Sequence, residues 1–142
     1  LRYKMNDRTL AIIKPDAIKN KYTGKIYNHI LDNGFNVLGA KLIKMSKSDA
    51  ERFYFIHKDK PFYDELTSFM SSYKCMVLVL EKNNAIEEWR DTIGNTNPSL
   101  AEEGTIRKLY ASSLGENAVH GSDSNENATK EISFFFTDNE IL

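Results

Sequence analysis

Cys75-Met76-Val77-Leu78-Val79-Leu80 sets six apolar residues in a row. A run this short and continuous reads as a strand covered on both faces. Upstream, Phe62, Leu66, Phe69 and Met70 fall at helical spacing behind Lys58-Asp59-Lys60-Pro61. Before them Ser48, with Glu51 three residues on, has the form of a capping box and opens a helix through Phe53, Tyr54 and Ile56. Asn36 to Met45 alternates loosely, Val37, Gly39 and Lys41 against Leu38 and Leu42, and reads as a second strand. Tyr22, Ile26, Tyr27, Ile30 and Leu31 mark a helix that Asn33-Gly34 ends. Thr9-Leu10-Ala11-Ile12-Ile13 is a short buried strand stopped by the turn Lys14-Pro15-Asp16. Downstream, Ile86, Trp89 and Ile93 mark a helix closed by Gly94, and a polar loop runs from Asn95 to Gly104. A short strand then ends at His120, a helix spans Asn125 to Ile132, and a last apolar run covers Ile132 to Phe136.

The order strand, helix, strand, helices, strand, helix, strand, helix is that of a split pair of βαβ units. It predicts an α+β fold, a ferredoxin-like sandwich with a four-stranded antiparallel sheet (βαββαβ) covered by helices. With 142 residues and no low-complexity stretch, linker or repeat, one domain over residues 1–142 is expected. Leu1 to Lys4 precede Met5 and read as a tag remnant or an upstream extension. A formal charge of −1 leaves no broad electrostatic footprint for nucleic acid or an acidic membrane. The single cysteine, Cys75, excludes an internal disulfide framework and suits a reducing compartment. No apolar run approaches the roughly 20 residues that span a bilayer, and no signal-peptide pattern opens the chain, so a soluble, cytoplasmic protein is expected.

The chemistry gathers at Asn117-Ala118-Val119-His120-Gly121-Ser122-Asp123-Ser124. A histidine at a strand end, above a Gly turn and beside a helix start, is exposed, rigidly held and near a favourable anion site. It can act there as nucleophile, base or metal ligand, or be an ordinary surface histidine; the octapeptide leaves both readings open. Other residues are too polar for their places: Lys14 at the first strand's end, Arg90 after Trp89 on a core-facing helix, Thr96-Asn97-Pro98 in the loop, and Gly104-Thr105-Ile106-Arg107 leaving it. Together they hold what a phosphate site needs, namely two guanidinium forks, an ammonium and neutral donors. No Walker-type loop or dinucleotide-binding glycine fingerprint is present. His29, His57 and His120 stand apart without metal-ligand spacing. His29 reads as a packing or surface residue, and His57 as a solvated residue at a helix end.

These stretches resemble the nucleoside diphosphate kinase family, from Arg8 to about Leu142. Asn117 to Ser124 is similar to its active-site signature. Lys14-Pro15-Asp16 resembles the end of its first strand, and Tyr54 with Lys58-Asp59-Lys60-Pro61-Phe62 its helical hairpin over the nucleotide. Gly94-Asn95-Thr96-Asn97-Pro98 and Gly104-Thr105-Ile106-Arg107 resemble the two ends of its long loop. The resemblance implies that His120 takes the γ-phosphoryl of a nucleoside triphosphate and passes it to a nucleoside diphosphate. Lys14, Arg90, Thr96, Arg107 and Asn117 would hold phosphates and sugar, Phe62 would stack on the base, and Tyr54 would lie against the phosphates. Glu131 would accept a hydrogen bond from His120 and fix its tautomer, with Ser122 in support. Mg²⁺ would arrive on the nucleotide phosphates and keep its waters, with no metal ligand from the protein.

The resemblance also implies a homo-oligomer, since the family includes hexamers and tetramers, and no nucleic-acid or membrane partner. The chain departs from common family sequences at Asn95 and over Ser99-Leu100-Ala101-Glu102-Glu103, with Glu103 where many members carry proline. A silent kinase-like binding module would not need this full set of residues. An RNA-binding sheet would expose aromatics on its central strands, where Val77 to Leu80 read as core.

Overall fold

The computed structural model describes residues 7–142, so the extension expected at Leu1 to Lys4 lies outside the described residues. Arg8–Ile13 forms β1 and Pro15–Lys19 a short helix α1. The expected turn at Lys14-Pro15-Asp16 therefore opens a helix, because proline at its first position needs no N–H partner and carries a helical φ. Thr23–Asp32 forms α2 and Asn36–Ile43 forms β2. The loose alternation of β2 has a cause: its register against the neighbouring strand slips between Val37 and Gly39, a bulge at Leu38.

Lys47–Phe53 forms α3, and its capping box differs from the expected Ser48/Glu51 pair. Ser46 has the extended backbone of a cap, and its Oγ accepts from the Asp49 N–H at 2.9 Å while Asp49 Oδ2 accepts from the Ser46 N–H at 3.1 Å. Ser48 already lies inside the first turn, and aspartate does at the third position what glutamate does in the commoner box. A 3₁₀ turn over Phe55–His57 separates α3 from α4, Tyr63–Met70. Cys75–Glu81 forms β3, Ala85–Ile93 forms α5 and Ile106–Tyr110 forms α6, with a 3₁₀ turn at Pro98–Leu100 between them. Val119–Gly121 forms β4 and Asn125–Phe135 forms α7. The final apolar run thus extends α7 by a turn, with Ile132 and Phe136 buried.

The strands form a four-stranded sheet in the order β2-β3-β1-β4, every neighbouring pair antiparallel. This is the α+β ferredoxin-like arrangement of two split βαβ units. Central β1 sends Ala11 and Ile13 to one face, among Ile26 and Ile30 of α2, Trp89 and Ile93 of α5 and Ile106. Leu10 and Ile12 go to the other face, with Ala50, Tyr54, Met70, Ile132 and Phe136. Helices therefore cover both faces, which is why β1 and β3 read as unbroken apolar runs. Among the described residues no helix is long and apolar enough to cross a membrane. The pairing of Ile12 with both Val77 and His120 places the histidine beside the rigid centre of the sheet.

Candidate active site

His120 sits in the middle of β4, lining a cleft of about 1460 Å³. Its Nε2 lies 2.8 Å from Glu131 Oε1 on α7, and Ser122 donates to the same oxygen at 2.8 Å. A carboxylate accepts, so in the neutral imidazole Nε2 carries the proton and Nδ1 keeps a free lone pair. Ser122 is fully buried and its Oγ accepts from the Leu10 N–H at 3.3 Å, which ties the carboxylate's support to β1. The backbone of His120 is held as well: the Trp89 indole N–H donates to its carbonyl at 3.0 Å. Gly121 is required beside it, because a Cβ there would stand 2.8 Å from Trp89 Cδ1.

Lys14 follows β1 directly, and its Nζ donates to Asn117 Oδ1 at 2.9 Å. Burial, helped by the Arg107 charge, brings its pKa down to about 8, with Asp16 pulling the other way. The Asn117 amide also donates to the Thr96 carbonyl at 3.4 Å, joining the loop to the strand. Arg107 is buried and points its fork at main chain: Nη1 to Gly94 O at 2.9 Å, Nη2 to Val119 O at 2.9 Å and Nε to Asn117 O at 3.3 Å. Burial and the nearby Arg90 lower its pKa to about 10. Three of its five N–H groups are spent on carbonyls, so at most two remain for a ligand. Arg90, exposed on α5, and Thr96, exposed in the loop, line the same cleft.

Tyr54 lines the cleft from below, its ring 6.4 Å from that of His120. Its hydroxyl is buried without a hydrogen-bond partner among the described residues, and burial raises its pKa, so it stays a neutral donor. Phe62 stands half exposed outside the cleft lining and reaches it through His57, whose ring lies 5.7 Å away. His57 thus lines the cleft and is not the purely solvated residue that the helix-end position suggested. The structure brings Lys14, Tyr54, Arg90, Thr96, Arg107, Asn117, His120 and Glu131 into one cleft, with Ser122 behind and Phe62 at the rim.

Sequence reasoning missed several neighbours. Phe53 packs edge-on against His120, with ring centroids 5.7 Å apart. Ala118 has φ +71° and forms a γ-turn, Val119 N–H donating to Asn117 O at 2.8 Å. A left-handed alanine costs on the order of 1–3 kcal/mol. Asp16 Oδ2 accepts from the Ala118 N–H at 3.1 Å. Burial raises the Asp16 pKa, opposed by that bond and by Lys14. Apolar patterning could have found Phe53, but nothing local announces a positive φ at alanine.

A ferredoxin-like sandwich with a carboxylate-held imidazole among buried cations defines a phosphotransferase rather than an RNA-binding sheet, whose central strands would present aromatics to solvent. The family model for nucleoside diphosphate kinase matches residues 7–141, and the chain belongs to that family. It is 52% identical over 136 residues to the nucleoside diphosphate kinase of Persephonella marina, covering 96% of this chain and 97% of that one. The crystal structure of the Aquifex aeolicus nucleoside diphosphate kinase superposes with a TM-score of 0.94 at 38% identity, covering 96% of this chain and 99% of the other. The structure of the Halobacterium salinarum nucleoside diphosphate kinase in complex with CDP gives 0.92 at 34% identity, over 96% of this chain and 91% of the other.

Proposed function

We infer that this chain transfers the γ-phosphoryl group of a nucleoside triphosphate, typically ATP, to a nucleoside diphosphate through a phosphohistidine on His120, and so maintains NTP and dNTP pools. The observation that carries the reading is the 2.8 Å contact of His120 Nε2 with Glu131, which leaves Nδ1 as the nucleophile. In the first half-reaction the Nδ1 lone pair forms a bond to Pγ while the bond from Pγ to the bridging oxygen breaks. The electron pair leaves with the nucleoside diphosphate. The second half-reaction reverses this with another diphosphate, giving ping-pong kinetics.

Lys14, Arg90 and Arg107 would neutralise the phosphates, and Thr96, Asn117 and the Tyr54 hydroxyl would donate to phosphate or sugar. Lys14, Tyr54, Glu131 and Ser122 would act with His120 at the reacting end. Phe62 at the rim would stack on the base, and because every base has a π-face the enzyme would accept many bases.

Among the described residues no group of three His, Cys, Asp or Glu side chains converges as a metal cage. In this reading Mg²⁺ would arrive on the nucleotide phosphates and keep its waters, with no metal ligand from the protein. When bound, Mg²⁺ draws charge from the phosphate oxygens. The reading carries with it a homo-oligomer, tetramer or hexamer, and a cytoplasmic setting, which the lone buried thiol of Cys75 suits.

The test is labelling with [γ-³²P]ATP. The chain should take up an acid-labile, alkali-stable label that ADP or another diphosphate removes, and His120→Ala should abolish both steps. Label that persists in the His120→Ala protein sinks the mechanism.

A further inference from the structure

We propose that Asp16 is a positioning residue for phosphotransfer at His120, its carboxylate holding the Asn117–Val119 turn in the shape the site needs. The proposal rests on the reading of His120 as nucleophile and adds a residue to which that reading gives no part. Two anomalies meet here. Ala118 holds a left-handed φ of +71°, a conformation L side chains rarely adopt. Asp16 is only 7% exposed, and its Oδ1 has no hydrogen-bond partner among the described residues. The two are joined by the bond from the Ala118 N–H to Asp16 Oδ2 at 3.1 Å.

The corner between β1 and α1 thus grips both polar groups of Ala118, since the Ala118 carbonyl accepts from the Lys14 N–H at 2.8 Å. Arg107 secures the flanks through the Asn117 and Val119 carbonyls. Asp16 is the side chain that grips Ala118 itself. Ala118 is fully buried, so without that acceptor its N–H would be stranded away from water. Strain would then favour rotation of residue 118 toward ordinary extended geometry. Such a rotation swings Asn117, whose amide bonds Lys14 Nζ and the Thr96 carbonyl, on one side. On the other it swings Val119 and His120. A carboxylate suits the task because it accepts a main-chain N–H more strongly than a neutral oxygen. Its charge also favours the Lys14 ammonium, the cation that the proposed reaction sets against the phosphates.

The experiment compares the parent chain with Asp16→Ala and Asp16→Asn. Two quantities are read: amide hydrogen exchange at Ala118 without nucleotide, and the single-turnover rate of His120 labelling from [γ-³²P]ATP. Asp16→Ala should raise exchange at Ala118 at least about tenfold and slow labelling by about a hundredfold, the scale of an ångström misplacement. Asp16→Asn keeps an acceptor oxygen at the same reach but gives up the charge, and should fall between the parent and Asp16→Ala in both. Unchanged exchange in Asp16→Ala removes the clamp. Raised exchange with labelling at the parental rate overturns the positioning role while leaving His120 as nucleophile. A parent chain that takes no label overturns the reading of His120 itself. Should Asp16→Ala fail to fold, Asp16→Ser, too short to reach the Ala118 N–H, replaces it with the same expected results.

Discussion

Lys14 carries its charge where the surroundings oppose it. Burial and the Arg107 guanidinium lower its pKa to about 8, so in the free protein it begins to lose its proton just above neutrality. Because kcat/KM reports the free enzyme, that parameter should fall as pH rises through about 8. Bound phosphates favour the ammonium, so the corresponding limb of kcat should lie at higher pH. Profiles of the first half-reaction between pH 6 and 10 check this. Lys14→Arg, slower overall but permanently charged, should lose the limb, and a parental profile flat to pH 9 would refute the assignment. Lys14, Arg90 and Arg107 were legible in the sequence because each interrupts an apolar pattern with a cation. Trp89 was legible only as core: periodicity places its ring, but the bond from its indole to the His120 carbonyl depends on how α5 lies over β4. Asp16 read as a turn residue, and the left-handed Ala118 had no signal at all.

Elements were read most securely where apolar spacing was densest. β3 and the helix of Ile86, Trp89 and Ile93 fall where the pattern put them. The faults lie at element edges, where single hydrogen bonds decide, and in the five-residue helices α1 and α6, too short to show a helical period. α1 starts on Pro15, and α3 is capped two residues earlier than Ser48 suggested, because Ser46 and Asp49 close the box between them. This separates two neighbouring serines by experiment. Ser46→Ala removes an acceptor for a free N-terminal N–H and should destabilise the chain by about 1 kcal/mol. Ser48→Ala, inside the first turn with no cap to lose, should stay within about 0.5 kcal/mol. Urea unfolding of the two proteins gives the comparison, and equal losses would mean that the box does not form in solution.

At the scale of the whole molecule, the sheet with helices on both faces makes a rigid floor for the cleft. β1, α6 and β4 converge so that Lys14 and Arg107 are both buried at the inner end of the cleft, with Asp16 the buried carboxylate nearby. Two desolvated cations destabilise the empty protein, and an anion that reaches them should stabilise it. A ligand that binds only the folded state adds RT ln(1 + [L]/Kd), about 2.7 kcal/mol at a hundredfold excess over Kd. ADP should therefore raise Tm by several degrees, whereas adenosine at equal concentration should raise it far less. The shift has a definite dependence on pH. The unfolded lysine titrates near 10.5 and the folded one near 8, so between these values the unfolded chain binds more protons. Stability of the unliganded chain from this group accordingly rises with pH across that window. ADP binding runs the other way: it favours the ammonium, so above pH 8 it must take up a proton and its affinity falls. The gap between liganded and unliganded protein is set by that affinity alone, so the ADP-induced shift in Tm should shrink from pH 7 to pH 9. Thermal unfolding at pH 7, 8 and 9, with ADP and with adenosine, measures it. A shift as large at pH 9 as at pH 7 would mean that Lys14 is not among the cations that meet the phosphates.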